Sequence, residues 1–174
     1  LNQLSREIGE RDFSLEEANR RLDEIERMPG RPKAAQILVA GAACFCFCFL
    51  FGGSLRDMIA DFFTGLIVYT FILNVCGGFS KITANILSGA LIALCCLVFY
   101  HAGIGENLRP LIMGTILLLV PGLPFTNGIR DLADGDYISG AVRLLDAVLV
   151  FMSVGAGAGA VFLAYHHLLG GVLL

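Results

Sequence analysis

Five stretches of this chain are almost continuously apolar, roughly 34–53, 58–79, 82–102, 108–126 and 139–168, and short polar or glycine-bearing joints separate them. A helix needs about 20 residues to cross the hydrocarbon core of a bilayer. The pattern predicts an all-α polytopic membrane bundle of about five transmembrane helices, with sequential neighbours antiparallel because the joints are short. The fourth stretch is interrupted. Leu111–Val120 supplies only ten largely apolar residues before Pro121-Gly122-Leu123-Pro124, and a charged segment follows. Proline removes a backbone donor and clashes with the preceding turn, so the helix must break or kink there. The freed backbone groups must then be satisfied inside protein or in a wet cavity. Transporters commonly build substrate sites at such breaks, so the interruption points to membrane transport.

Residues 1–33 have a different pattern. Leu1, Leu4 and Ile8 form one apolar stripe that ends at Gly9, and Leu15, Ala18, Leu22 and Ile25 form a second at helical spacing. Ser14 and Glu17 suit a capping box, and Pro29-Gly30-Arg31-Pro32 stops the helix. A short cytoplasmic helical hairpin over 1–33 is predicted, followed by a transport domain over 34–174. The start at Leu1, in mid-pattern, predicts that the hairpin is the tail of a longer upstream domain.

Composition agrees with a membrane body. The 174 residues are 56% hydrophobic with mean hydropathy +0.77, and residues 1–33 hold seven of the twelve basic and eight of the fifteen acidic side chains. A net charge of −3 without a basic tract gives no footing for nucleic acid. Basic residues in short loops set orientation. Arg27, Arg31 and Lys33 before the first helix put the N-terminus in the cytoplasm. Five crossings then place Lys81, Arg130 and Arg143 on the same side, with Arg56 and Arg109 outside.

Charges within or beside membrane helices are costly and so are candidates for function. Around the break, Pro121, Gly122, Pro124, Asn127, Arg130 and Asp131 are expected to form a substrate path or gate. The Arg130 guanidinium suits a carboxylate, and Asp131 suits an ammonium or a proton. Arg143 and Asp146, three residues apart on the next helix, are expected to pair and belong to the same region. Asp57 and Asp61, four apart, are candidates with Asp131 for proton coupling, with an interfacial N-terminal cap as the simpler account of the pair. Asn74 and Asn85 are expected to bond across helices or line the path. Gly140, Gly155 and Gly159 are candidate packing positions, the last two in GxxxG spacing that lets helices approach closely. Cys44, Cys46 and Cys48 alternate with phenylalanine and, with Cys76, Cys95 and Cys96, read as small hydrophobes. Metal-ligand spacing, a phosphate loop and a nucleophile–base pair are all lacking, so neither a cofactor nor an enzyme is predicted.

The segment PGLPFTNGIRDLADGDYISGAVRLLDA (Pro121–Ala147) closely resembles the threonine/serine exporter (ThrE-type) family, as do Leu15–Ile25 and the five-helix layout. The resemblance implies a bacterial inner-membrane exporter of threonine and serine, or of a dicarboxylate such as succinate in split relatives, drawing on the proton gradient. Five helices against about ten in fused members imply half of a split exporter. Its expected partners are its small-molecule substrate, membrane lipid, and a second five-helix protein or further copies of itself. The alternatives are a non-transporting anchor or regulatory subunit, and a membrane-embedded enzyme whose active site lies in an upstream domain.

Overall fold

The computed structural model describes residues 32–169 together with Glu17, Asn19, Arg20 and Leu22. The chain divides into two compact units at Pro32/Lys33. Of the first unit, Glu17, Asn19, Arg20 and Leu22 are helical and exposed; the hairpin expected over 1–33 otherwise lies almost wholly outside the described residues.

The second unit is all helical among its described residues. Its helices are α1 (Lys33–Leu50), α2 (Leu55–Asn74), α3 (Lys81–His101), α4 (Leu108–Ile116), α5 (Gly122–Ala133) and α6 (Tyr137–Leu169). Short 3₁₀ turns follow α2 at Cys76–Gly78 and α4 at Leu117–Leu119. Four helices are long and apolar enough to cross a membrane, and a fifth span is available if α4 and α5, bent by 60° at their junction, count together.

Local chemistry sets the helix ends. Ser54 and Asp57 form a reciprocal capping box at the start of α2, and the Ser80 side chain accepts from the Thr83 N–H at the start of α3. At the end of α1, the Gly53 N–H donates to the Cys48 carbonyl and the Gly52 N–H to Phe49. This is a Schellman closure, which needs a left-handed residue, and Gly52 supplies it with φ +77°. The same closure recurs at Gly135 after α5.

Glycines also set the helix contacts. A Cβ on Gly65 of α2 would stand 3.0 Å from the Gly41 Cα of α1. A Cβ on Gly89 of α3 would collide with the Val154 carbonyl of α6, and one on Gly157 with the Ile86 carbonyl. Gly157 thus makes the α3–α6 crossing, whereas Gly155 and Gly159 on either side of it have open space beside them. Gly140 packs against Leu132 and the Gly128 carbonyl, joining the start of α6 to α5.

Helices α3 and α6 run parallel. The Lys81 ammonium donates to both Asp146 oxygens at one end (2.6 and 2.5 Å), and His101 Nε2 meets the Tyr165 hydroxyl at 2.7 Å at the other. A chain that leaves α3 at one end of the bundle and starts α6 at the opposite end must cross back between them. The broken α4–α5 pair makes this crossing. Glu106 and Asn107, before α4, bond to Asp57 near the start of α2, while Asp131 near the end of α5 meets Arg143 of α6. With α4 and α5 counted as one span, five crossings are available. The core lies along α2, α3 and α4, around Ala60, Val68, Ile92, Cys96 and Leu111. Cys44 and Cys48 point inward and Cys46 outward, and all six cysteines are free.

Candidate functional site

Two fully buried carboxylates, Asp57 and Asp61, lie one turn apart on α2. Their surroundings differ. Asp57 accepts from the backbone N–H of Ser54 (2.9 Å), Glu106 (2.6 Å) and Asn107 (3.0 Å), and from the Asn107 side-chain amide (3.2 Å). Four donors on one carboxylate satisfy it where it stands. Asp57 caps its own helix and pins the α3–α4 loop across the bundle.

Asp61 is only half satisfied. Its Oδ1 accepts from the Thr115 hydroxyl of α4, and its Oδ2 is buried with no hydrogen-bond partner. None of the ion pairs among the described residues includes it. Gly114 lies against Oδ2 so closely that a Cβ there would collide with that oxygen, and the same Cβ would stand 2.9 Å from the Cys48 backbone nitrogen. Asp61 therefore sits where α1, α2 and α4 meet, with α4 as its cover. A buried polar atom without a partner is uncommon enough to require a reason.

α4 ends near this cover. After Leu119 the chain turns at Val120, and Pro121 (φ −79°, ψ 60°) precedes the first turn of α5. Pro124 falls within that first turn, where a missing N–H is tolerated. Gly122 is exposed with open space around it, and Thr126 bonds back to the Gly122 carbonyl at 2.8 Å. Ile116, Leu119 and Val120 face Phe151, Val154 and Gly155 of α6 across a small apolar cavity of about 110 Å³.

The charged residues past the break gather at the opposite end of the bundle from Asp57. Arg143 Nη1 is 2.9 Å from Asp131 Oδ2, in ionic contact without hydrogen-bond alignment. Asp146 pairs with Lys81 of α3 and not with Arg143. The expected Arg143–Asp146 pair is therefore replaced by two pairs that tie α5 to α6 and α3 to α6, because Asp131 and Lys81 reach these side chains from neighbouring helices. Arg130 is 79% exposed and stands 3.7 Å from Asp134; Asn127 is exposed on the same helix. Asn74 donates to the Thr70 carbonyl of its own helix instead of bonding across helices. Among the described residues no group of three or more His, Cys, Asp or Glu side chains has metal-binding geometry.

Sequence reasoning selected Asp57 and Asp61 but missed Thr115 and Gly114. Thr115 lies 54 positions from Asp61, so no local spacing links them. The only trace in the sequence is a small-polar pair inside an apolar run.

A sequence model of the family described as "Putative threonine/serine exporter" matches residues 1–165. The chain belongs to this family. Comparison with curated proteins gave no match, and comparison with solved structures gave none. As a member of the threonine/serine exporter family, the chain is a multi-pass membrane transporter. Its buried carboxylates and broken fourth span are then parts of an exporter.

Proposed function

We propose that this exporter carries threonine or serine out of the cell across the bacterial inner membrane, coupled to protons, with a dicarboxylate such as succinate as the competing cargo. The observation that carries the coupling is the free Oδ2 of Asp61. A carboxyl with one oxygen steadied by Thr115 and the other unengaged can bind and release a proton without breaking a salt bridge. Its cover, α4, ends at the Val120–Pro121 break, so a swing of α4 about that joint would open Asp61 to water. Alternating access then consists of α4 lifting from α1 and α2 as the proton exchanges.

The positive-inside bias supports a cytoplasmic N-terminus. It puts the Lys81, Arg130 and Arg143 end inside and the Arg56 and Arg109 end outside. The exposed ion pairs at the inner end then hold the α5–α6 corner in place while α4 moves. The open space beside Gly159 suits a second membrane protein or a further copy of this chain, so we assign the chain to an assembly.

Efflux from cells preloaded with labelled threonine, serine or succinate tests the reading. Wild-type protein should lower intracellular threonine or serine in an uncoupler-sensitive way. Asp61→Asn should be inserted normally and fall to the level of cells lacking the gene. Wild-type efflux by Asp61→Asn would end the coupling assignment, and no efflux of any label by the intact assembly would end the exporter assignment.

A further inference from the structure

A cleft of about 580 Å³ opens at the end of the bundle that carries Arg56 and Arg109, lined among others by Tyr100, Glu106, Asn107, Arg109 and Tyr165. Its size is within the range of small-molecule sites. Beneath the polar residues lie Leu97, Leu108 and Pro110, so the cleft has charged groups on an apolar base.

The charges in and beside the cleft are unequal in availability. Arg109 has no ion pair among the described residues. The Glu106 carboxylate pairs with Arg56 (Nη1–Oε1 3.2 Å), both side chains being largely exposed. Glu106, in the loop before α4, and Arg109, in its first turn, line the same cleft. The Glu106 backbone is fixed by its N–H bond to Asp57 (2.6 Å), which anchors this end of the cleft to α2. Tyr165 is fixed by His101. A cation without an ion pair among the described residues and a carboxylate shared with an exposed arginine, both lining one cleft over an apolar base, match a molecule that carries a carboxylate, an ammonium and a short side chain.

We infer that this cleft is a binding site for a free α-amino acid zwitterion, with Arg109 holding the carboxylate and Glu106 the ammonium. The inference rests on the exporter reading for its role as the outer release site, but the binding chemistry stands on the cleft itself. It also separates the two cargo classes. A dicarboxylate needs two available cations, whereas here the second cation, Arg56, is already engaged by Glu106. The Glu106 charge would also repel a second carboxylate, and such repulsion sharpens specificity.

The test measures binding of labelled threonine to the purified full-length exporter and, separately, threonine efflux by the same variants. Arg109→Ala and Glu106→Gln should each weaken binding by roughly tenfold or more, the loss expected for one charge-assisted contact. Arg109→Lys should recover part of it, with unchanged thermal unfolding for all three. Serine should displace the label well and succinate poorly. Wild-type affinity in both Arg109→Ala and Glu106→Gln, no threonine binding by the wild type, or displacement by succinate as strong as by serine would each overturn the site. Binding that depends on Arg109 without efflux by the wild type would keep the site and remove the exporter reading.

Discussion

Asp57 and Asp61 share a helix, a residue type and full burial, and differ only in their partners. Removing Asp57 strands four donors, each worth about 1–3 kcal/mol when left unsatisfied. Asp57→Ala is therefore expected to lower the thermal midpoint in detergent markedly and to reduce the amount of protein in the membrane. Asp61→Asn keeps an acceptor for Thr115, so its midpoint should stay close to wild type while coupled efflux is lost. A loss of stability in Asp61→Asn as large as in Asp57→Ala would show that both carboxylates are structural. The sequence made both residues visible because charge in an apolar run is rare. It could not rank them, since the distinguishing partners, Glu106, Asn107 and Thr115, come from segments about fifty positions away. Arg130 was conspicuous for the same reason, but its side chain is mostly exposed.

Among the elements, the α3–α6 crossing and the α5–α6 corner have different tolerances. Gly157 lies against backbone, which cannot move aside as a side chain can. Gly157→Val should cost well over the 1–3 kcal/mol typical of overpacking, whereas Gly159→Val should leave the thermal midpoint of the isolated chain unchanged. Unfolding measurements on the two variants check this directly. The GxxxG spacing marked the correct helical region but not the residue in contact, because spacing alone does not reveal which face of a helix its neighbour occupies. The break at Pro121 was legible because proline acts on its own backbone. At the corner, hydrogen bonds from Ser139, side chain and backbone, hold the exposed Asp136 carboxyl below the ordinary range, which centres near 3.9. A lowered folded value means that the contact is fully present above the ordinary value and is lost as pH falls through the folded one. The amide resonance of Ser139 should therefore hold steady from about pH 7 to 5 and shift only in more acid solution.

For the whole molecule, length fixes what protrudes. α6 has 33 residues and so extends about 50 Å, against about 30 Å of hydrocarbon. Because Asp146 is level with Lys81 at the start of α3, the excess falls largely in Tyr137–Arg143, where α5 packs beside it. Cysteine substitutions at Asp134 and Arg109 should therefore react with a membrane-impermeant thiol reagent from opposite faces, with position 134 labelled from the cytoplasmic side. Labelling of both from one face would refute five crossings. Hydropathy alone marked five apolar stretches, the interrupted fourth among them; that α3 and α6 lie parallel, which favours counting the broken pair as a span, was not legible in it.

The fit of Gly114 against Asp61 has a consequence for the economy of the proton gradient. An antiporter whose carboxyl could be wetted while the helices stayed closed would let protons drain inward with no cargo leaving. Here not even a methyl group fits beside Oδ2, so under the proposed coupling no water file can form until α4 withdraws. Proton movement and helix movement become one event, and a resting exporter does not dissipate the gradient. On that coupling, the glycine, chemically the blandest residue at the site, is what prevents the leak.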